Sequence, residues 1–258
     1  LERLVVEKDI TWMVHLGALL SATGEKNLDR ALKVLIRGSE AVLQVCERQK
    51  VRVFAPSSIA AFGPQTPLDP TPDLTIQRPR TIYGVGKVYL ELLGEYLHYS
   101  RGLDFRSLRF PGILSYKTPP GGGTTDYAIE MYHEAISKGS YDSFVSEGVR
   151  LPMMYMPDCL HATMSLLEAP NEQLTLRTYN VAAFSFAPEE LAKEIARVHP
   201  GFKLGFKPDF RDGIARSWPR VLDDSQARAD WHWQPKWNLS AMSDDMYRNI
   251  KSLFFAHK

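Results

Sequence analysis

The chain is poor in cysteine and has no long apolar run. Two cysteines in 258 residues, Cys46 and Cys159, cannot build a disulfide framework and point to a reducing compartment. No uninterrupted apolar stretch approaches the roughly 20 residues of a membrane-crossing helix, so no membrane partner is expected. Charge of either sign is nearly cancelled, with 31 Lys+Arg against 30 Asp+Glu and a formal net charge of +1. A chain so balanced lacks the basic face that neutralises phosphates, and no nucleic-acid partner is expected. The seven histidines never show His-Glu-x-x-His spacing and the two cysteines lie far apart, so no metal site is expected.

What is present is ordinary for a globular protein: 44% hydrophobic and 24% charged residues, enough for one large domain or one domain with a small annex. The run Thr11-Trp12-Met13-Val14-His15-Leu16, stopped at Gly17-Ala18, reads as a buried strand of a parallel sheet. Ala31, Leu35, Val42, Val45 and Cys46 recur at helical spacing over residues 29–50, with Gly38 in the same stripe. That glycine is expected to permit close approach to the sheet. Residues 51–55 form a second short strand ended by Pro56-Ser57-Ser58, and residues 63–79 an irregular surface loop. A long helix over about 83–100 and a strand over 105–110 complete a β-α-β-α-β rhythm. The fold class is therefore α/β, a doubly wound parallel sheet of the Rossmann type.

The second half is less regular, with helices expected from near Asp126 and over 158–168, 188–198, 225–231 and 240–253, and a short strand at 179–181. The division expected is residues 1–115 for the sheet domain and 116–258 for a smaller capping region, some of whose elements return to the core. Cys46 reads as a small buried hydrophobe; Cys159, after Asp158 at a helix start, is weighed as a reactive thiol against a buried one.

The chemistry concentrates at Tyr83-Gly84-Val85-Gly86-Lys87. Tyr and Lys at i and i+4 share a helical face, and an ammonium beside a phenol favours phenolate, a usable base. An isolated Tyr-x-x-x-Lys is weak evidence, since a surface Tyr with a solvated Lys has the same spacing. Here the preceding strand ends in Ser57-Ser58, which brings a hydroxyl to the same carboxyl edge of the sheet. A hydroxyl, a phenol and an ammonium beside a dinucleotide crevice suit proton removal from an alcohol that loses hydride. Gly121-Gly122-Gly123 before a helix could cradle an anion with backbone amides, Thr124 and Thr125 adding hydroxyls; the bland alternative is a flexible loop with Asp126 as N-cap.

Pro56-Ser57-Ser58, Tyr83-x-x-x-Lys87 and Arg109-Phe110-Pro111-Gly112 together resemble the extended short-chain dehydrogenase/reductase superfamily. Within it, SIAAFG at 58–63, GGGTTDY at 121–127, LPMMYMPD at 151–158 and Ser217-Trp218-Pro219 resemble its L-threonine 3-dehydrogenase branch. The resemblance implies an NAD-dependent oxidoreductase acting on L-threonine, with Tyr83 as base, Lys87 favouring the phenolate and touching the nicotinamide ribose, and Ser58 binding the substrate hydroxyl. It implies that His15, Leu16, Gly17, Ala18, Pro111, Gly112 and Ile113 contact the cofactor. It places Ser58, Tyr83, Gly123, Thr124 and Thr125 around the substrate; Ser21, just past the first strand, is a second candidate for substrate contact, and Trp218, between Ser217 and Pro219, either closes over the substrate or is buried packing. Met153, Met154 and Met156 read as core and pocket wall. A homodimer through the two long helices and a mitochondrial location are further expectations.

Two departures bear on activity. No Gly-x-x-Gly-x-x-Gly turn, the usual pyrophosphate grip, precedes Thr11, and the acidic residue that selects NAD is missing with it. With Leu1 in first place, the expectation is a truncated chain that can position a nicotinamide but has lost the main phosphate grip. Leu35 stands where related proteins carry an asparagine that supports the proton relay and a helix bend. The rival readings are a non-catalytic paralogue acting at most as a binding protein, and a sugar-nucleotide epimerase or dehydratase.

Overall fold

The computed structural model describes residues 1–19 and 21–256. Its first half comprises α1 (Glu2–Glu7), β1 (Trp12–Val14), α2 (Ser21–Glu25), α3 (Leu28–Ala31), a π-helical stretch (Leu32–Gly38), α4 (Ser39–Arg48), β2 (Arg52–Phe54), β3 (Ser57–Ser58), α5 (Ile82–Arg101), β4 (Phe105–Phe110) and β5 (Gly112–Leu114). The second half comprises α6 (Tyr127–Lys138), β6 (Ser140–Ser143), β7 (Leu151–Tyr155), α7 (Met156–Glu168), β8 (Thr178–Asn180), β9 (Phe184–Phe186), α8 (Pro188–Val198), β10 (Lys203–Phe206), α9 (Phe210–Arg216), α10 (Ser225–Trp231) and α11 (Leu239–Ala256).

The main sheet is parallel throughout. β1 pairs with β2, β2 with β4, β3 with β4 and β8 with β4, so β3 continues β2 beyond Pro56. Strand residues alternate between two helical layers, as period-2 side chains must. Val53, Ala55 and Phe105 join Leu43, Cys46, Leu90 and Leu97 on the α4–α5 side. Phe54 and Leu108 join Ala162, Leu166, Trp231 and Trp233 on the α7–α10 side. Burial on both faces is the doubly wound arrangement expected. A third core gathers α6, α8, α11, β7 and Trp218; β5, β7 and β9 form a separate small sheet, and β6 pairs with β10.

Several expectations need correction. β1 is not buried as expected: it lies at the edge of the described sheet, with Val14 47% exposed. Gly38 makes no close approach, since a β-carbon there would meet only the Lys33 carbonyl oxygen at an ordinary 3.6 Å. Close approaches fall on α5 instead, where a β-carbon at Gly94 would lie 2.4 Å from the Phe105 ring and one at Gly86 2.7 Å from that of Leu35. The helical distortion is present with leucine at position 35, which is 3% exposed and packed against α5. The 63–79 loop is irregular as expected, but it is pinned rather than loose: Thr71 is fully buried, and its amide and carbonyl pair with Val221 and Asp223 at 2.9 Å each. The cysteines need no correction: of the two readings of Cys159 the buried thiol holds, with burial pushing its pKa up to about 12, and burial likewise pushes Cys46 up to about 11.

Candidate active site

A cavity of about 320 Å³ lies where β1, β3 and β4 end. Carboxyl ends of parallel strands are where ligands of open α/β sheets bind. Local chemistry builds the wall that carries Tyr83 and Lys87. Thr81 caps α5 by accepting from the Gly84 amide at 3.1 Å, which starts the helix one residue before Tyr83. The glycines that flank Val85 are steric necessities: a β-carbon at Gly84 would fall 2.1 Å from the Ala60 carbonyl oxygen. With no side chains at 84 and 86, α5 seats directly on the turn after β3 and on the π-helical stretch, and Tyr83 and Lys87 reach the cavity. Lys87, 6% exposed, donates to the Pro56 carbonyl, and its ammonium lies 5.4 Å from the centre of the Tyr83 ring. Ser58 closes the turn by accepting from the Ala60 amide at 3.2 Å.

The facing wall comes from the glycine-rich loop and from α2. Ser21 and Thr124 are buried, and their hydroxyls lie 3.2 Å apart. Glu25 accepts from the Ile82 amide at 2.7 Å, which ties the helix carrying Ser21 to the start of α5. Gly123, Thr124, Thr125 and Trp218 line the cavity; Trp218 is also 6% exposed core, so wall and packing roles coincide.

The glycine amides are already satisfied. Asp126 turns its carboxylate back to accept from Gly121, Gly122 and Gly123 at 2.7, 2.8 and 2.8 Å. The cradle for an external anion is thus filled from within, and the same carboxylate does not cap α6. Thr124 and Thr125 remain as the loop's polar groups toward the cavity.

Of the residues assigned to a cofactor, Leu16, Ala18, Pro111, Gly112 and Ile113 line the cavity with Tyr83 and Lys87. His15 and Gly17 do not. The His15 ring turns to Ser39, Nε2 to Oγ 3.4 Å, and burial, helped by the Lys87 charge, holds its pKa below the ordinary value. Pro56, Ser57, Ile59, Phe110 and Asp126 are lining residues that the sequence reading missed. For Phe110 a signal existed, its place at the end of a strand beside Pro111; for Asp126 the N-cap pattern pointed elsewhere. Met153 and Met154 are fully buried, and Met156 packs on the α7 core. No group of His, Cys, Asp or Glu able to hold a metal occurs among the described residues.

A profile of the NAD dependent epimerase/dehydratase family matches residues 1–182. The chain belongs to that family. It is 51% identical over 247 residues to a Bos taurus protein named mitochondrial L-threonine 3-dehydrogenase, covering 95% of this chain and 66% of the bovine one. It thus spans just under two thirds of that relative's length. The crystal structure of L-threonine dehydrogenase from Phytophthora infestans superposes with a TM-score of 0.96 at 52% identity, over 97% of this chain and 82% of that one. The L-threonine 3-dehydrogenase structure from Trypanosoma brucei gives 0.95 at 45% identity, over 98% and 79%.

Proposed function

We propose that this chain is an NAD-dependent oxidoreductase that oxidises L-threonine at C3 to 2-amino-3-oxobutanoate. The observation that carries the reading is the convergence of Ser58, Tyr83 and Lys87 on one wall of a cavity whose other wall presents Ser21, Thr124 and Thr125. The similarity to proteins named for this activity supports it.

The residues present fit the nicotinamide end of the cofactor. Leu16, Ala18, Pro111 and Ile113 offer an apolar flank for a flat ring, next to Tyr83 and Lys87 as polar partners for a ribose. When bound, NAD supplies the hydride acceptor. Tyr83 takes the proton of the C3 hydroxyl as that carbon is oxidised, and Ser58 holds the hydroxyl in line. Lys87, anchored on the Pro56 carbonyl with its ammonium beside the Tyr83 ring, would bind the nicotinamide ribose. Thr124 and Thr125 orient the amino-acid end of the substrate, and Trp218 closes the cavity against water.

The test is NADH absorbance on mixing the chain with NAD and L-threonine, with calorimetry for NAD alone. Threonine-dependent NADH is expected. A folded chain that binds NAD yet reduces none with threonine would sink the substrate assignment. No NAD affinity up to millimolar concentration would favour the binding-only alternative, and larger thermal shifts with UDP-sugars than with threonine plus NAD would favour the epimerase one.

The same reading extends to organisation. Residues 1–115 would carry the cofactor and residues 116–258 the cap, with β8 returning to the main sheet. Val85, Leu92, Tyr96 and Tyr99 leave α5 with an exposed apolar face that supports a homodimer through the long helices. The bovine relative's name supports a mitochondrial location.

A further inference from the structure

A cluster of buried charge lies behind the catalytic edge rather than in it. Glu91 stands one turn beyond Lys87 on α5 and is 1% exposed. Its carboxylate accepts from the Ser57 hydroxyl, from Gln77 Nε2 at 2.7 Å, and from the Arg109 guanidinium at 2.8 and 3.1 Å. Arg109, on β4 and paired in register with Ser57, donates onward to Asn180 Oδ1 at 3.3 Å and to the Asp73 carbonyl at 2.7 Å. Asn180 in turn donates to the Thr71 and Asp223 carbonyls at 3.1 and 3.2 Å.

Burying an ion pair is costly, and an apolar pair of similar volume would hold a helix on a sheet as well or better. What an apolar pair cannot do is fix direction. Two successive turns of α5 grip two successive residues of the catalytic edge: Lys87 holds the Pro56 carbonyl and Glu91 holds the Ser57 hydroxyl. Between those grips and the Ser58–Ala60 turn, Ser58 has little freedom to slide along or rotate about β3. Tyr83 rides on the same helix, so its separation from Ser58 is set by the same two grips.

We propose that Glu91 is a positioning residue for the reaction: by binding Ser57 and Arg109 together, it fixes Ser58 relative to Tyr83 without touching substrate or cofactor. This rests on the oxidation reading above, in which Ser58 and Tyr83 share one substrate hydroxyl.

The experiment compares the parent chain with Ser57→Ala, which deletes one hydroxyl and leaves the Glu91–Arg109 pair intact, and with Glu91→Gln. Threonine oxidation is measured as kcat and KM, and amide exchange by NMR at Ser58 and Ala60, with Val53 and Leu108 as core references. Loss of alignment felt only in the transition state lowers kcat by about tenfold or more and leaves KM within about twofold. Exchange at Ser58 and Ala60 should quicken about tenfold while the references hold. Quickened exchange with parental kcat overturns the proposal, because the grip would then be merely structural. Unchanged exchange in Ser57→Ala overturns it whatever the kinetics, even where Glu91→Gln fails to fold. A parent that turns over no threonine defeats the oxidation reading and, with it, the role assigned to Glu91. The exchange arm then reports whether the grip itself exists.

Discussion

Tyr83 and Lys87 stand on one face of one helix, so their pairing is a local fact, and their chemistry can be tested one atom at a time. Tyr83→Phe removes only the phenolic oxygen and leaves the ring in its packing. Loss of general-base assistance should cut threonine oxidation by about 10²–10⁴-fold while circular dichroism and NAD affinity stay near parental; near-parental turnover would refute the mechanism. Lys87→Ala should lower both turnover and NAD affinity, since it removes the bond to Pro56 together with the ribose contact proposed above. The cysteines give a test that needs no activity. Both thiols are buried and pushed up, to about 11 and about 12, so neither is thiolate near neutrality. Native chain should resist a thiol reagent at pH 7.5 and react fully in denaturant; fast labelling of the native chain would contradict the burial.

At the scale of elements, the helix start and the glycine loop are the exposed joints. Gly84→Ala would drive a methyl into the Ala60 carbonyl and the Pro79 side chain, 2.1 and 2.5 Å from the built position. The carbonyl is backbone and cannot swing away, so α5 must lift. The expected result is a loss of roughly 1–3 kcal/mol in urea unfolding and a fall in turnover larger than that loss of folded chain explains. Asp126→Ala would leave three glycine amides to water, all at or near the surface. Global stability should change little, whereas limited proteolysis within 121–125 should quicken and the threonine KM should rise; a loop as resistant as before would show that the carboxylate is not its anchor.

For the whole molecule, the pinned 63–79 loop brings a pH dependence. Burial raises Asp73 from an ordinary 3.8 to about 7, against the opposing pull of the Asn180 amide and the Arg109 charge. A folded-state pKa above the unfolded one means that the folded chain holds the extra proton between about pH 4 and 7. Its contribution is therefore fully present below about pH 4 and lost as pH rises through about 7. One unit is worth about 1.4 kcal/mol, so the change amounts to a few kcal/mol at most. Asp73→Asn should gain stability relative to the parent between pH 5 and pH 8 in urea titrations. Equal differences at the two pH values would show that Asp73 does not titrate there.

What the sequence determined by itself was whatever repeats over short distances. The 3.6-residue stripes of residues 29–50 and 83–100, the strand at 105–110 and the Tyr83-to-Lys87 spacing each depend on neighbours within a turn or two, and α5 and β4 are found close to or at those bounds. The α/β class followed from their order. Tertiary structure decided what depends on residues far apart in the chain. β1 reads as a buried run, yet exposure follows from which strands flank it. β5, β7 and β9 hide in short apolar segments whose pairing partners are 31 to 41 residues away. Close approach falls at Gly84, Gly86 and Gly94 of α5 and not at Gly38, because the fold sets which helix faces which. Asp126 is written as a helix cap, but three preceding amides outcompete the helix end for its carboxylate. Glu91 looks like any helical glutamate until Ser57, Gln77 and Arg109, 14 to 34 residues distant, close around it. Periodicity encodes which face is apolar; it cannot encode which remote group arrives to satisfy a buried charge.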